Sequence, residues 1–219
     1  MILGLDFDNT IVDYDALFHR AALEIGLVDC SVAANKTAVR DFIRKSDGGE
    51  ILWQKLQAEV YGPRINEAVL FSGVCDFLSL CIEKKIPAYV VSHKTRFARR
   101  GDVDLREAAL SFMEKNSLFN SSPYGGSVER VFFADTRHEK GEIIKSLNCD
   151  VFVDDLIEVF RESSFPANIY KFLFTPQGIE APLEADSPPK LEQVKTWSEL
   201  SEIIFVEPFI STVGLKDGK

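Results

Sequence analysis

The sequence is short of the features that would put a protein outside the cell or in a membrane. Its 219 residues include four cysteines, Cys30, Cys75, Cys81 and Cys149, with no C-x-x-C pair and no zinc-site spacing. That excludes a disulfide scaffold and predicts free thiols in a reducing compartment. No apolar run approaches the roughly 18 residues of a membrane span. The apolar start lacks a basic leader and runs straight into aspartates, unlike a signal peptide. A basic excess is also missing: 25 Lys and Arg against 34 Asp and Glu leave a net charge of −9. Non-specific nucleic-acid binding is thereby excluded. The expectation is a soluble, cytoplasmic protein with neither nucleic acid nor membrane as partner.

What is present suits one sizeable domain, or a domain with a smaller insert, since 46% of the residues are hydrophobic. The chain opens with Ile2-Leu3-Gly4-Leu5-Asp6-Phe7-Asp8-Asn9-Thr10. A short apolar run of this kind predicts a strand buried on both faces. Residues two apart in a strand point the same way, so Asp6 and Asp8 are expected to project together from its carboxyl end. Open α/β sheets bind their ligands along that edge. Two carboxylates so close repel unless a cation or a proton is shared between them.

From Asp13 to about Leu70 the pattern is helical. Leu17, Phe18, Ala21, Ala22 and Ile25 share one face, with Gly26 as a stop. Ser31 is the expected cap of a second helix that turns Ala34, Ala38, Val39, Phe42 and Ile43 inward. A third helix follows Asp47-Gly48-Gly49, carries Leu52, Leu56 and Val60, and ends at Gly62-Pro63. After Ser72 helices and strands alternate. Val74, Phe77, Leu78, Cys81 and Ile82 form a stripe, and strands are predicted at Pro87–Val91, Val131–Phe133, Val151–Val153 and Ile169–Phe174. Asp104 with Glu107 and Thr136 with Glu139 read as capping boxes, and Thr196 starts a last short helix through Ile204. Asn120–Gly126 reads as a loop and Thr175–Lys190 as a proline-rich surface segment. The predicted fold is α/β, a Rossmann-like three-layer sandwich on a mainly parallel five-stranded sheet. Its core comprises residues 1–12 and 72–219, and residues 13–71 form an inserted all-helical cap.

Four polar groups then fall at strand ends or helix starts: Asp6 with Asp8, Ser92, Lys140, and Asp154 with Asp155. Each alone has an ordinary structural role, as a cap, a turn residue or a surface charge. Together, at one sheet edge and in this order, they point to a site. Asp6 is positioned as a nucleophile toward phosphorus. Asp6, the Asp8 backbone carbonyl, and Asp155 with or beside Asp154 suit Mg²⁺, which prefers a few carboxylate oxygens plus phosphate and water. Asp8 serves as acid to the leaving oxygen and then as base to water. Ser92 and Lys140 hold the transferring phosphoryl group. Thr10 ties down the turn, and with His93, Lys94 and Arg96 it makes up the candidate substrate-binding set. Arg99, Arg100, Arg40, Arg44, Trp53 and Gln57 are further candidates for specificity.

The chain resembles the haloacid dehalogenase superfamily across nearly its whole length. Asp6-Phe7-Asp8-Asn9-Thr10 matches its D-x-D-x-T motif, Ser92 its second, Lys140 its third and Asp154-Asp155 its fourth. The insert between the first two motifs looks like the family's helical cap. Asn9 replaces the commoner glycine. Dehalogenases lack the second aspartate, so the resemblance implies a Mg²⁺-dependent phosphatase acting through an aspartyl-phosphate. A small phosphorylated metabolite, such as a sugar phosphate, is the implied substrate, and a monomer or homodimer the implied assembly. A phosphomutase and a non-catalytic binding protein on the same scaffold are the alternatives.

Overall fold

The computed structural model describes residues 1–119, 127–178 and 188–214. In chain order the strands and helices begin with β1 (Leu3–Leu5), β2 (Val12–Asp13), α1 (Asp15–Glu24), α2 (Lys36–Arg44), α3 (Gly49–Tyr61) and, after a 3₁₀ turn at Ile65–Glu67, β3 (Val69–Leu70). There follow α4 (Val74–Glu83), β4 (Ala88–His93), α5 (Leu105–Lys115), β5 (Val128–Ala134), α6 (Arg137–Ser146) and β6 (Val151–Asp154). The series closes with α7 (Ile157–Phe160), β7 (Tyr170–Phe174), β8 (Leu191–Val194), α8 (Trp197–Ile204) and α9 (Phe209–Gly214). The loop expected at Asn120–Gly126 lies outside the described residues, as do residues 179–187 of the proline-rich segment.

The chain divides into two units. The first is drawn from the described residues of Met1–Ile11, Phe71–His93 and Ser117–Lys219. It is built on a six-stranded sheet in the order β5-β4-β1-β6-β7-β8, with every pairing parallel. The sequence predicts five strands; the sixth is β8, whose Leu-Glu-Gln-Val has only two apolar residues because it forms an edge. β1 sits between β4 and β6, and its Leu3 and Leu5 are fully buried. Gly4 between them is needed because a Cβ there would run into the Phe152 ring. Val91, Ile144, Phe152, Phe160, Phe165 and Leu173 pack as one apolar cluster. Trp197 anchors a second with Phe77 and Phe174, at ring-centre distances of 4.9 and 5.8 Å. Its indole N–H is satisfied by the Thr10 carbonyl at 3.1 Å.

The second unit comprises Val12–Leu70 and Lys94–Asn116. Its extent differs from the expected insert of 13–71, because 94–116 groups with it rather than with the core. It is also not all helical, since β2 and β3 pair antiparallel. An aromatic cluster fills it: Trp53 stacks on Phe18 at 5.0 Å, and Tyr61 meets Tyr14 and Phe18 edge-on at 4.9 and 5.4 Å. The cap of α2 is Asn35, whose side chain accepts the Ala38 N–H at 2.8 Å. Ser31, the expected cap, instead bonds Asp29 ahead of the helix. Ile25, Phe42 and Ile82 were assigned inward by periodicity but are exposed. Ile25 lies one residue beyond α1, and Phe42 and Ile82 sit at the margins of their stripes.

Candidate active site

Sheet register builds the site. Leu5 of β1 is opposite Val90 of β4 and Val153 of β6. One residue on, Asp6 and Asp154 leave the sheet side by side, and the Asp6 N–H donates to the Val153 carbonyl at 2.9 Å. Two residues past Val90 stands Ser92. The parallel strands thus bring the first, second and fourth groups to one edge.

Lys140 comes from the first turn of α6. That helix starts there because Thr136 accepts the Glu139 N–H at 3.1 Å while Glu139 reaches back to the Asp135 N–H at 2.8 Å. This is the reciprocal cap expected from the sequence. Lys140 is only 1% exposed. Its Nζ donates to Asp6 Oδ1 at 2.5 Å and Asp154 Oδ2 at 2.6 Å. The other Asp154 oxygen accepts the Leu156 N–H at 2.9 Å.

Asp6, Asp154 and Asp155 each offer an oxygen within 4.8 Å of the others. Burial pushes the Asp6 carboxyl well above its usual range; Lys140 works against that, and the Asp154 and Asp8 charges reinforce it. For Lys140, burial opposes the charge, but Asp154 and Asp6 more than offset it and keep the ammonium protonated. One ammonium therefore serves three carboxylates. The remaining negative charge and the all-oxygen donors fit a hard divalent cation.

Asn9 was not among the expected site residues. It takes φ = +61°, a left-handed conformation open to glycine and asparagine but costly for most side chains. That conformation accounts for an asparagine where the resemblance has glycine. Asn9 also donates its side-chain amide to Asp155 at 3.2 Å. The signal in the sequence was a residue tolerant of positive φ between the strand and Thr10.

The remaining candidates have varied surroundings. Ser92 is 1% exposed, and its hydroxyl has no hydrogen-bond partner among the described residues. Asp8 is half-buried. Thr10 is fully buried, a position inside the turn. His93 ends β4 with Nε2 3.2 Å from the Asp135 carbonyl, and burial lowers its pKa, leaving the ring neutral near pH 7. Lys94 and Arg96 belong to the second unit, where Arg96 is tied to Asp104 at 2.7 Å. Of the specificity candidates, Arg40 and Arg44 pair with Asp41 and Glu50, and Trp53 is buried in the aromatic cluster.

Solved structures share this architecture over nearly the whole chain. A HAD-superfamily hydrolase from Ehrlichia chaffeensis matches with a TM-score of 0.58 and 13% identity, covering 95% of this chain and 97% of that one. The fold is that of the haloacid dehalogenase-like hydrolases. A protein from Lactobacillus delbrueckii subsp. bulgaricus described as a phosphoglycolate phosphatase aligns on the same fold, with a TM-score of 0.58, 16% identity and coverage of 93% and 97%. So does an L-2-haloacid dehalogenase, with a TM-score of 0.54, 13% identity and coverage of 94% and 98%. At these identities the haloacid dehalogenase-like fold is what is shared, and phosphatases and dehalogenases both occur on it. No protein-family model matches the sequence, and no curated protein matches it. No helix among the described residues is long and apolar enough to cross a membrane.

Proposed function

We propose that this chain is a Mg²⁺-dependent phosphatase that hydrolyses a small phosphorylated metabolite, a sugar phosphate being one such substrate. The observation that carries the reading is the buried Lys140, bridging Asp6 and Asp154 with Asp155 beside them. Asp6, Asp154 and Asp155, with the backbone carbonyl of Asp8, would hold the metal. When bound, Mg²⁺ neutralises phosphoryl oxygens and lets an anionic nucleophile approach an anionic ester.

Asp6 attacks phosphorus to form an aspartyl-phosphate, and the ester oxygen leaves with a proton from Asp8. Asp8 then takes a proton from the water that releases phosphate and regenerates Asp6. Ser92, whose buried hydroxyl lacks a partner among the described residues, donates to a phosphoryl oxygen. Lys140 balances charge on the phosphoryl group and orients Asp6. Thr10 fixes the turn that carries Asp8. The four free thiols support a reducing compartment, the cytoplasm.

Hydrolysis of p-nitrophenyl phosphate tests the reading. The expected outcome is Mg²⁺-dependent turnover that is abolished by chelation, restored by Mg²⁺, and lost in Asp6→Asn. Turnover that survives Asp6→Asn would overturn the mechanism. Halide release from a 2-haloacid without phosphatase activity would overturn the reaction class.

A further inference from the structure

Two lysines of the second unit meet on one aromatic ring. Lys36 opens α2, with its Nζ 5.6 Å from the centre of the Tyr61 ring and 5.8 Å from that of Phe18. The Nζ of Lys94 lies 4.9 Å from the centre of the same Tyr61 ring. Lys94 is 4% exposed, while Lys36 and Tyr61 are half-buried. The ring is held in place by its edge contacts with Tyr14 and Phe18. An acidic neighbour, Asp15, accepts the Lys36 backbone N–H at 2.8 Å.

Each ammonium gains about 0.5–2 kcal/mol from the ring face. Two like charges drawn to one ring nonetheless repel, and burial raises the cost of each. An anionic group lying between them relieves both penalties. Lysine, as a point charge without a fixed fork, accepts carboxylate or phosphate oxygens alike. Lys94 also follows Ser92 by only two residues, so the backbone keeps their Cα atoms within about 7 Å.

We propose that Lys36 and Lys94, across Tyr61, bind a second acidic group of the substrate and so select phosphate esters that carry a carboxylate or a further phosphate. The reaction in this inference rests on the phosphatase reading; the selectivity rests on the lysine pair.

The test compares kcat/KM for 3-phosphoglycerate, fructose 1,6-bisphosphate and glycerol phosphate, whose remaining groups are a carboxylate, a phosphate and neutral hydroxyls. The wild type is expected to prefer one of the first two by about tenfold or more, the scale of one charge-assisted contact. Lys36→Met and Lys94→Met keep the apolar stems on the rings and delete the charges. Each is expected to shrink that preference to about twofold through KM, and Lys94→Arg is expected to retain it. A wild type indifferent to the second acid, or a preference that survives both substitutions, overturns the proposal. If Lys94→Met does not fold, the half-buried Lys36→Met carries the same comparison. If the wild type hydrolyses no ester, the phosphatase reading fails on its own, and thermal unfolding with fructose 1,6-bisphosphate then judges the pair. Stabilisation confined to the wild type supports it, and equal or absent stabilisation overturns it.

Discussion

Lys140 is the residue on which the site's stability turns, because it alone neutralises two carboxylates that the sheet forces together. Lys140→Met leaves Asp6 and Asp154 buried without a counter-charge, which is expected to destabilise the fold by about 3–5 kcal/mol. Urea denaturation in chelator measures this, and added Mg²⁺ is expected to recover part of the loss. A change below about 1 kcal/mol would contradict the charge balance described for the site. At this scale the acidic positions were legible, since a strand alternates its side chains and two carboxylates cannot share a face cheaply. Lys171 was not. It is 1% exposed, with Nζ donating to the carbonyls of Ala167, Ile169 and Pro189 at 2.7, 2.9 and 2.9 Å. Nothing in Tyr170-Lys171-Phe172 distinguishes such a lysine from one pointing to water, because its acceptors come from distant turns.

Among the elements, α6 links local sequence to chemistry. Thr136 caps the helix that carries Lys140, so Thr136→Ala is expected to cost about 1 kcal/mol. It is also expected to lower phosphatase turnover more than the equivalent Thr196→Ala, which uncaps α8. Equal effects on turnover would mean that α6 does not position Lys140. In the second unit, hydrogen bonds from Arg64 and then Arg20 hold the Glu67 carboxyl down at about 2, against an ordinary 4.5. A depressed acid stabilises the fold above its unfolded pKa, and that contribution is lost as pH falls through its folded value. The melting difference between wild type and Glu67→Gln is therefore expected to be small at pH 6, to fade in salt, and to vanish near pH 2. A difference that persists at pH 2 would sink the assignment. Capping boxes could be read because they are local rules. β8 could not, since a four-residue edge strand with two polar residues resembles a loop. The assignment of α5 failed for another reason. Its stripe of Leu105, Ala109, Phe112 and Met113 is buried as expected, but periodicity states which face is covered and not by what.

For the whole molecule, the three clustered carboxylates couple folding to the metal. Mg²⁺ at a hundred times its Kd adds about 2.7 kcal/mol, which for a chain of this size raises the melting midpoint by roughly 5–10 °C. Asp155→Asn is expected to remove most of that shift; an unchanged shift would put the ion elsewhere. The second unit is made of two separate stretches of chain, Val12–Leu70 and Lys94–Asn116. Excising the longer stretch would therefore not yield a trimmed catalytic module, because the apolar stripe of α5 would be stripped of its partners and left to aggregate. Anyone transplanting a new specificity onto this scaffold must exchange both pieces together.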